Sequence, residues 1–424
     1  MIQKGSLIQD YQETFSMYVN ITPEYKQAEF GEEAEKILRT CVHCGFCLAT
    51  CPTYQLLGNE LDSPRGRIYL IKNLLEGEPV TENTQLHLDR CLTCRACETT
   101  CPSGVQYGKL VDIGRKIVEQ SVKRSIGSRV KRSLLKTVLP NPKLFNPLVD
   151  VGQKLKPLLP RSMTKVLPDS NQSGQWPSHQ HARKMIVLEG CVQPKLTPET
   201  NLAAAKVLDR LGITLLRVTG SGCCGALTHH LNDEESALIA MKRNIDAWWP
   251  HIEKEGVEAI VVTASGCGTE VKQYGYYLQH DPHYSDRAQQ ISHLAKDVSE
   301  VIAQLPIESL LGDEKIDERI AFHAPCSLQH GQKLKGFVET LLQKWGAQLT
   351  VVPDSHLCCG SAGTYSILQP DISKKLQANK IKALESGRPD VILTANIGCQ
   401  THLNGVSSVP VIHWIEWLAS RLEA

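Results

Sequence analysis

No stretch of the chain approaches the ~18–20 consecutive apolar residues that a membrane-spanning helix needs. Any membrane contact is therefore expected to be peripheral or made through a partner. An excess of one charge sign is also missing: 46 Lys and Arg face 45 Asp and Glu, a net charge of +1. That balance gives no case for nucleic acid. No Gly-x-Gly-x-x-Gly follows a strand-like run, and there is no P-loop, so no nucleotide cradle is expected. The opening Met1-Ile2-Gln3-Lys4-Gly5 has no apolar signal core. What the chain has in quantity is cysteine, sixteen in 424 residues. A secreted disulfide scaffold is one reading of that number. The length, the missing signal core and the metal-site spacings below oppose it, and the expectation is a reducing cytosol in which cysteines remain thiols.

Eight cysteines form two copies of one pattern, Cys41-x2-Cys44-x2-Cys47-x3-Cys51-Pro52 and Cys91-x2-Cys94-x2-Cys97-x3-Cys101-Pro102. This is the bacterial-ferredoxin spacing for a pair of [4Fe–4S] clusters. Each iron of a cubane needs one soft thiolate. Three cysteines at intervals of three let one turning segment wrap three corners. The fourth, before proline, serves the neighbouring cluster. The expected ligand sets are Cys41, Cys44, Cys47 and Cys101 for one cluster, and Cys91, Cys94, Cys97 and Cys51 for the other. Zinc is the alternative, but it usually takes two Cys-x-x-Cys pairs and has no use for two runs of four ending in proline.

The spacing places helices around these motifs: residues 30–38 leading into Cys41, 64–76 between the motifs, 86–90 leading into Cys91, and 105–122 after the second. The first ~35 residues read as two arms by the same pattern logic. Ser63 suits an N-cap, Pro64 the first turn and Gly77 the stop, with an apolar stripe at Ile68, Ile71, Leu74 and Leu75. Arg65 and Arg67 have two readings, as cations tempering the charge of a nearby cluster or as ordinary exposed residues. From Ser121 to Lys165 there are eleven Lys or Arg against one acid, Asp150, together with Pro140, Pro142, Pro147, Pro157 and Pro160. Leu134, Leu135 and Val138 among Lys131, Arg132 and Lys136 read as a basic amphipathic helix. A solvated connector is the favoured reading. The rival is a surface pressed on an anionic membrane or an acidic partner.

The second half repeats itself. Cys191, Cys223-Cys224-Gly225 and Cys267 recur as Cys326, Cys358-Cys359-Gly360 and Cys399, at offsets of 135, 135, 135 and 132 residues. Strand-like runs (185–188, 213–218, 259–263; 319–322, 349–352, 391–394) alternate with helix-like ones (199–211, 234–255; 337–345, 372–386), which argues for parallel α/β units. Each cysteine falls past the carboxyl end of a strand, where open α/β sheets bind ligands. Adjacent cysteines can face one centre only on a sharp turn, which the glycine permits. A vicinal disulfide is the strained alternative. Four thiols per repeat suffice for one cubane or one zinc ion, with iron–sulfur favoured in at least one repeat. The expected metal sites are Cys191, Cys223, Cys224 and Cys267, and Cys326, Cys358, Cys359 and Cys399. His323 and His356 fall near these cysteines but align with Leu188 and Ser221 of the other repeat, and His229 aligns with Thr364. A ligand or proton-relay role competes with a structural, hydrogen-bonded one. The structural reading is preferred, because nothing in the sequence fixes partner geometry.

Two ferredoxin motifs followed by paired Cys-Cys-Gly units resemble the iron–sulfur subunits that serve flavin dehydrogenases, among them those of glycolate oxidase, anaerobic glycerol-3-phosphate dehydrogenase and the heterodisulfide reductases. Four segments are most similar to the glycolate oxidase iron–sulfur subunits: Cys41-Val-His-Cys-Gly-Phe-Cys-Leu-Ala-Thr-Cys-Pro-Thr-Tyr, Ser63-Pro-Arg-Gly-Arg-Ile-Tyr-Leu, Asp89-Arg-Cys-Leu-Thr-Cys-Arg-Ala-Cys and Ser221-Gly-Cys-Cys-Gly-Ala. One departure stands out. Heterodisulfide reductases end each Cys-Cys-Gly unit in Cys-x-x-Cys, whereas here single cysteines, Cys267 and Cys399, close the repeats.

The resemblance implies an α+β multidomain chain: an N-terminal α-helical ferredoxin module (1–122), a basic proline-rich connector (123–180), and two tandem α/β cysteine-rich (CCG) repeats (181–312 and 313–424). It implies a non-flavin subunit of an oxidoreductase complex that oxidises glycolate, and D-lactate too, with an acceptor other than NAD or oxygen. The FAD would sit in a partner subunit and this chain would contribute no catalytic residue of its own. Two [4Fe–4S] clusters, with one or two further Fe–S clusters or zinc in the CCG repeats, would carry electrons from reduced flavin towards a quinone-type acceptor. The expected location is the cytoplasm, peripherally at the inner membrane. The alternatives are the equivalent subunit for glycerol 3-phosphate or lactate, and a thiol–disulfide enzyme of the heterodisulfide-reductase kind.

Overall fold

A computed structural model describes residues 17–158, 164, 167, 174–311 and 316–423. Residues 1–16 of the expected N-terminal arms, and part of the connector with Pro160 and Lys165, lie outside the described residues. The chain divides into two compact units. One runs to Ile126 and includes His356–Cys358; the other holds the remainder.

The first unit is helical, with no strand among its described residues. Its helices include α1 (Gly31–Thr40), α2 (Pro52–Leu57), α3 (Pro64–Leu75), α4 (Glu82–Asp89), α5 (Ala96–Thr100) and α6 (Tyr107–Ser121). Helix α3 starts as its sequence dictates: the Ser63 hydroxyl accepts from the Gly66 N–H, and Pro64 occupies the first turn. Its stripe Ile68, Ile71, Leu74 and Leu75 is buried against Leu110, Val111 and Ile117 of α6 and Ile37 and Leu38 of α1, in one core that also takes in Cys41, Cys91 and Cys97. The cysteine loops are thus anchored by the apolar stripes of the helices that flank them.

In the second unit, the basic stretch forms α7 (Ile126–Val138) and α8 (Pro142–Lys154). The first repeat follows with β1 (Arg183–Val187), α9 (Pro198–Arg210), β2 (Ile213–Arg217), α10 (Glu234–Glu255), β3 (Ile260–Val262), α11 (Ser265–Val271) and β4 (Ala295–Asp297). The second gives β5 (Arg319–His323), α12 (Phe337–Lys344), β6 (Gln348–Leu349), α13 (Pro370–Glu385), β7 (Val391–Thr394), α14 (Ile397–Asn404), β8 (Val411–His413) and α15 (Trp414–Glu423). The two sheets are all parallel, ordered β2-β1-β3-β4 and β6-β5-β7-β8.

Side chains alternate across each strand. Met185, Val187, Ile213, Leu215 and Val261 face a core shared by both repeats, joined there by Ile320, Phe322, Val391 and Leu393. Ile186, Ile260 and Val262 face the other side of the first sheet, and Ala321 and Ile392 the other side of the second. Polar contacts tie the repeats together at the strand ends: Ser265 Oγ lies 2.7 Å from Ser327 Oγ, and His413 Nε2 lies 2.8 Å from the Thr263 carbonyl.

Three strands depart from expectation. The run expected at 349–352 is a strand only at Gln348–Leu349. Thr350 N–H still bonds the Ile320 carbonyl at 2.8 Å, but Val351 is 84% exposed and Asp354 takes a φ of 49°. The fourth strand of each sheet has only three residues, Ala295-Lys296-Asp297 and Val411-Ile412-His413, too short for periodicity to reveal.

Trp414 is fully buried in the shared core and stacks on Trp345 with ring centroids 6.3 Å apart. Trp414→Ala is expected to cost about 3–5 kcal/mol, read as a lower urea midpoint for the near-UV signal of the second unit. The far-UV helix signal of the first unit should change little.

Candidate iron–sulfur and thiol sites

The first unit has two cysteine-lined cavities. One is lined by Cys41, Cys44, Cys47, Cys97 and Cys101, with Arg65 and Tyr107. The other is lined by Cys51, Cys91, Cys94 and Cys97, with Arg67 and Tyr107. Each motif sends its fourth cysteine to the cavity of the other: Cys101 lines the first and Cys51 the second. The two loops achieve their wrap with the same backbone device. His43 and Thr93 both have φ of 53°, and Gly45 and Arg95, two residues on, have φ of 86° and 59°. Alternating left-handed residues turn successive cysteines inward; for non-glycine residues each such conformation costs roughly 1–2 kcal/mol, which a bound group would repay.

The electrostatics fit an anionic, thiolate-ligated group. Burial pushes the thiols of Cys41 and Cys97 up, and that of Cys47 up to about 11. Such thiols become thiolates only beside a strong cationic partner, which iron supplies. Donors surround the sulfurs: Tyr107 Oη donates to Cys91 Sγ at 3.6 Å, and Thr93 N–H to the same sulfur at 3.4 Å. Arg67 is 1% exposed. Its Nε donates to the His87 carbonyl at 2.7 Å and its Nη2 to Thr53 Oγ1 at 3.1 Å. Burial opposes its charge, but Cys91, Tyr107, Cys51 and Asp62 outweigh that and hold its pKa up. Asp62, fully buried, also meets His87 Nδ1 at 2.9 Å and Arg90 at 3.0 Å. Arg65 and Arg67 therefore each line a cysteine cavity, and Arg67 is no exposed cation.

In the first repeat, four thiols converge. Cys191 and Cys223, Cys223 and Cys224, and Cys224 and Cys267 are hydrogen-bonded through sulfur. Donation from its two neighbours pulls Cys223 down and leaves Cys191 and Cys224 raised. The Cys-Cys-Gly turn is buttressed from α10 and from the segment after α11. Asn244 Nδ2 donates to the Cys223 carbonyl at 2.9 Å, and Tyr274 Oη to the Cys224 carbonyl at 2.8 Å.

In the second repeat, His323, at the end of β5, joins Cys359 and Cys399, with ligand atoms mutually within 4.8 Å. His323 is 2% exposed and neither ring nitrogen has a hydrogen-bond partner. Burial, then Lys380 and His402, holds it well below the usual imidazole range. His323 is therefore not the hydrogen-bonded structural histidine that its sequence context favours. Its one sequence signal is its place three residues before Cys326, and only the fold brings it beside Cys359 and Cys399. Cys326 begins the turn after β5 and Cys358 is buried. His229 pairs with Glu270 at 3.1 Å.

A helical unit with two crossed cysteine cavities, joined to two parallel sheets bearing Cys-Cys-Gly turns, defines an iron–sulfur protein of the dicluster, cysteine-rich class. The 4Fe-4S dicluster family matches residues 37–105, and the cysteine-rich CCG family matches 185–272 and 320–404. The chain belongs to the family of glycolate oxidase iron–sulfur subunits. It is 55% identical to the glycolate oxidase iron-sulfur subunit of Escherichia coli, across 96% of this chain and all of that one. Lactate utilization protein A of Bacillus velezensis is 28% identical over 56% of this chain and all of its own. A crystal structure of a hypothetical protein from Helicobacter pylori shares the fold, with a TM-score of 0.53 and 11% identity, covering all of this chain and 77% of that one.

The Cys-Cys-Gly turns generate a stability prediction. Gly225 and Gly360 have φ of 96° and 91°. A Cβ would lie 3.1 Å from the Ala237 carbonyl oxygen at Gly225 and 2.7 Å from the Ser373 carbonyl oxygen at Gly360. Gly360→Ala should destabilise more than Gly225→Ala, each by more than about 1 kcal/mol, measured as midpoints of denaturant unfolding.

Proposed function

We propose that this chain carries electrons within a flavin-dependent glycolate dehydrogenase complex, from reduced flavin in a partner subunit towards a quinone-type acceptor. The observation that carries the reading is the pair of cavities in which each motif contributes its last cysteine to the other. In this reading Cys41, Cys44, Cys47 and Cys101 hold one [4Fe–4S] cluster, and Cys91, Cys94, Cys97 and Cys51 the other. Such clusters, when bound, accept and release one electron at a time. The residues of the chain hold them close together, screen them with Arg65 and Arg67, and aim donors at their sulfurs. Hydride removal belongs to the flavin. Relatedness to a subunit named for glycolate oxidase supports glycolate as substrate of the complex, and relatedness to a lactate utilization protein supports lactate as a second one. The chain divides in this account into a ferredoxin module (1–122), a connector (123–180) and CCG repeats at 181–312 and 313–424.

The same reading includes a peripheral membrane contact through α7 and α8. Ile126, Val130 and Leu134 form an exposed apolar stripe on α7, and Leu144, Leu148, Val151 and Leu155 continue it on and just beyond α8. Exposed Arg129, Lys143 and Lys154 accompany them. Apolar residues flanked by cations on helical spacing suit the surface of an anionic bilayer. No helix among the described residues is long and apolar enough to cross one.

Cys94→Ala in the assembled complex should leave flavin reduction by glycolate at its normal rate in stopped-flow absorbance, while delivery to a quinone analogue falls to background. Undiminished delivery would remove the relay. For the membrane contact, the complex should co-sediment with phosphatidylglycerol vesicles but not with pure phosphatidylcholine. Leu134→Glu combined with Leu148→Glu should abolish that binding without changing turnover with a soluble acceptor.

A further inference from the structure

The two cysteine-rich repeats are not equivalent where it matters for metal binding. Subtracting the repeat offset from His323 gives Leu188, which is 2% exposed in the apolar core of the first repeat. The first repeat gathers four thiols. The second places an imidazole among its sulfurs. We propose that the second repeat binds a single zinc ion through His323, Cys359 and Cys399, in a mixed imidazole–thiolate site.

Several observations converge. The ligand atoms of the three residues all lie within 4.8 Å of one another; donors on one tetrahedral ion with bonds of about 2.0–2.3 Å sit about 3.3–3.8 Å apart, so a small closure of the three side chains brings them onto one ion. His323, Cys359 and Cys399 are 2%, 1% and 4% exposed. Both ring nitrogens of His323 are buried without a hydrogen-bond partner. A buried polar atom left so costs roughly 1–3 kcal/mol, and metal coordination removes the penalty at one nitrogen. Asn396 Nδ2 donates to Cys399 Sγ at 3.6 Å, an outer donor of the kind that steadies a ligating thiolate. The Gly360 turn, with φ of 91°, sets the direction of Cys359 beside it.

The donor set selects the ion. With no oxygen among the three ligands, calcium and magnesium are disfavoured. Nitrogen and sulfur together suit zinc, which takes mixed Cys and His sets without geometric preference of its own. Two thiolates and a neutral imidazole bring a divalent ion to zero net charge, the state that so buried a site tolerates best. The fourth tetrahedral position is open to a further donor, and Cys326, three residues beyond His323, belongs to the same strand-end turn.

The test is metal analysis of the full chain, purified anaerobically with its partner subunits. About one zinc per chain is expected, with a zinc-edge X-ray absorption spectrum showing one nitrogen and at least two sulfurs. His323→Leu and Cys359→Ser should each lower zinc content at least tenfold and leave the iron signals of the N-terminal motifs unchanged. His323→Cys guards against misfolding. It should retain the metal, and its cobalt-substituted form should show stronger sulfur-to-cobalt charge transfer than the cobalt-substituted parent. The proposal is overturned if the parent protein holds no zinc, if zinc survives both His323→Leu and Cys359→Ser, if the zinc shell is sulfur alone, or if those variants lose iron in place of zinc.

Discussion

Thiol groups must be brought together, out of water, at points far apart in sequence. Every part of this chain bears the mark of that requirement. Sulfur anions repel one another, and burial alone pushes Cys41, Cys47 and Cys97 away from ionisation. A scaffold that crowds them is therefore under electrostatic load until a cation arrives. The scaffold answers with left-handed turns at His43, Gly45, Thr93 and Arg95, and with helices whose apolar stripes are locked together beneath the loops.

The buried charges of the first unit follow from the same requirement. Asp62 holds Arg67, His87 and Arg90 together, and Arg67 passes that order on to Thr53 and the His87 carbonyl. An unpaired arginine at 1% exposure would be prohibitive. Paired, it places a fixed positive charge beside Cys51 and Cys91. Arg115 works similarly, donating to the carbonyls of Leu88 at 2.8 Å and Cys91 at 2.6 Å. The polar interior of this unit is thus the counterpart of its sulfur chemistry.

The CCG repeats solve the problem with strand ends instead of helical loops. Each sheet carries its cysteines just past its strand ends, on the turns after β1, β2, β5 and β6 and in the first turns of α11 and α14 after β3 and β7. The shared core between the repeats fixes both sets at once. Divergence shows in the supports: Asn244 and Tyr274 hold the first Cys-Cys-Gly turn, whereas Ser373 Oγ bonds the Gly360 carbonyl at 2.8 Å in the second. The two repeats share their sheet order and differ in what surrounds their cysteines.

Sequence alone determined the ferredoxin spacing, the repeat offset, the Ser63–Pro64 start of α3 and the parallel α/β character of the second half. All of these are short-range or periodic signals, set by neighbouring residues and by the 3.6- and 2-residue repeats. Other features were decided only by tertiary structure: the burial of Arg67 beside Cys51 and Cys91, the three-residue strands β4 and β8, and the meeting of His323 with Cys359 and Cys399. Those residues lie 36 and 76 positions apart along the chain. Their encounter depends on where a parallel sheet puts the ends of β5 and β7, which no local pattern encodes.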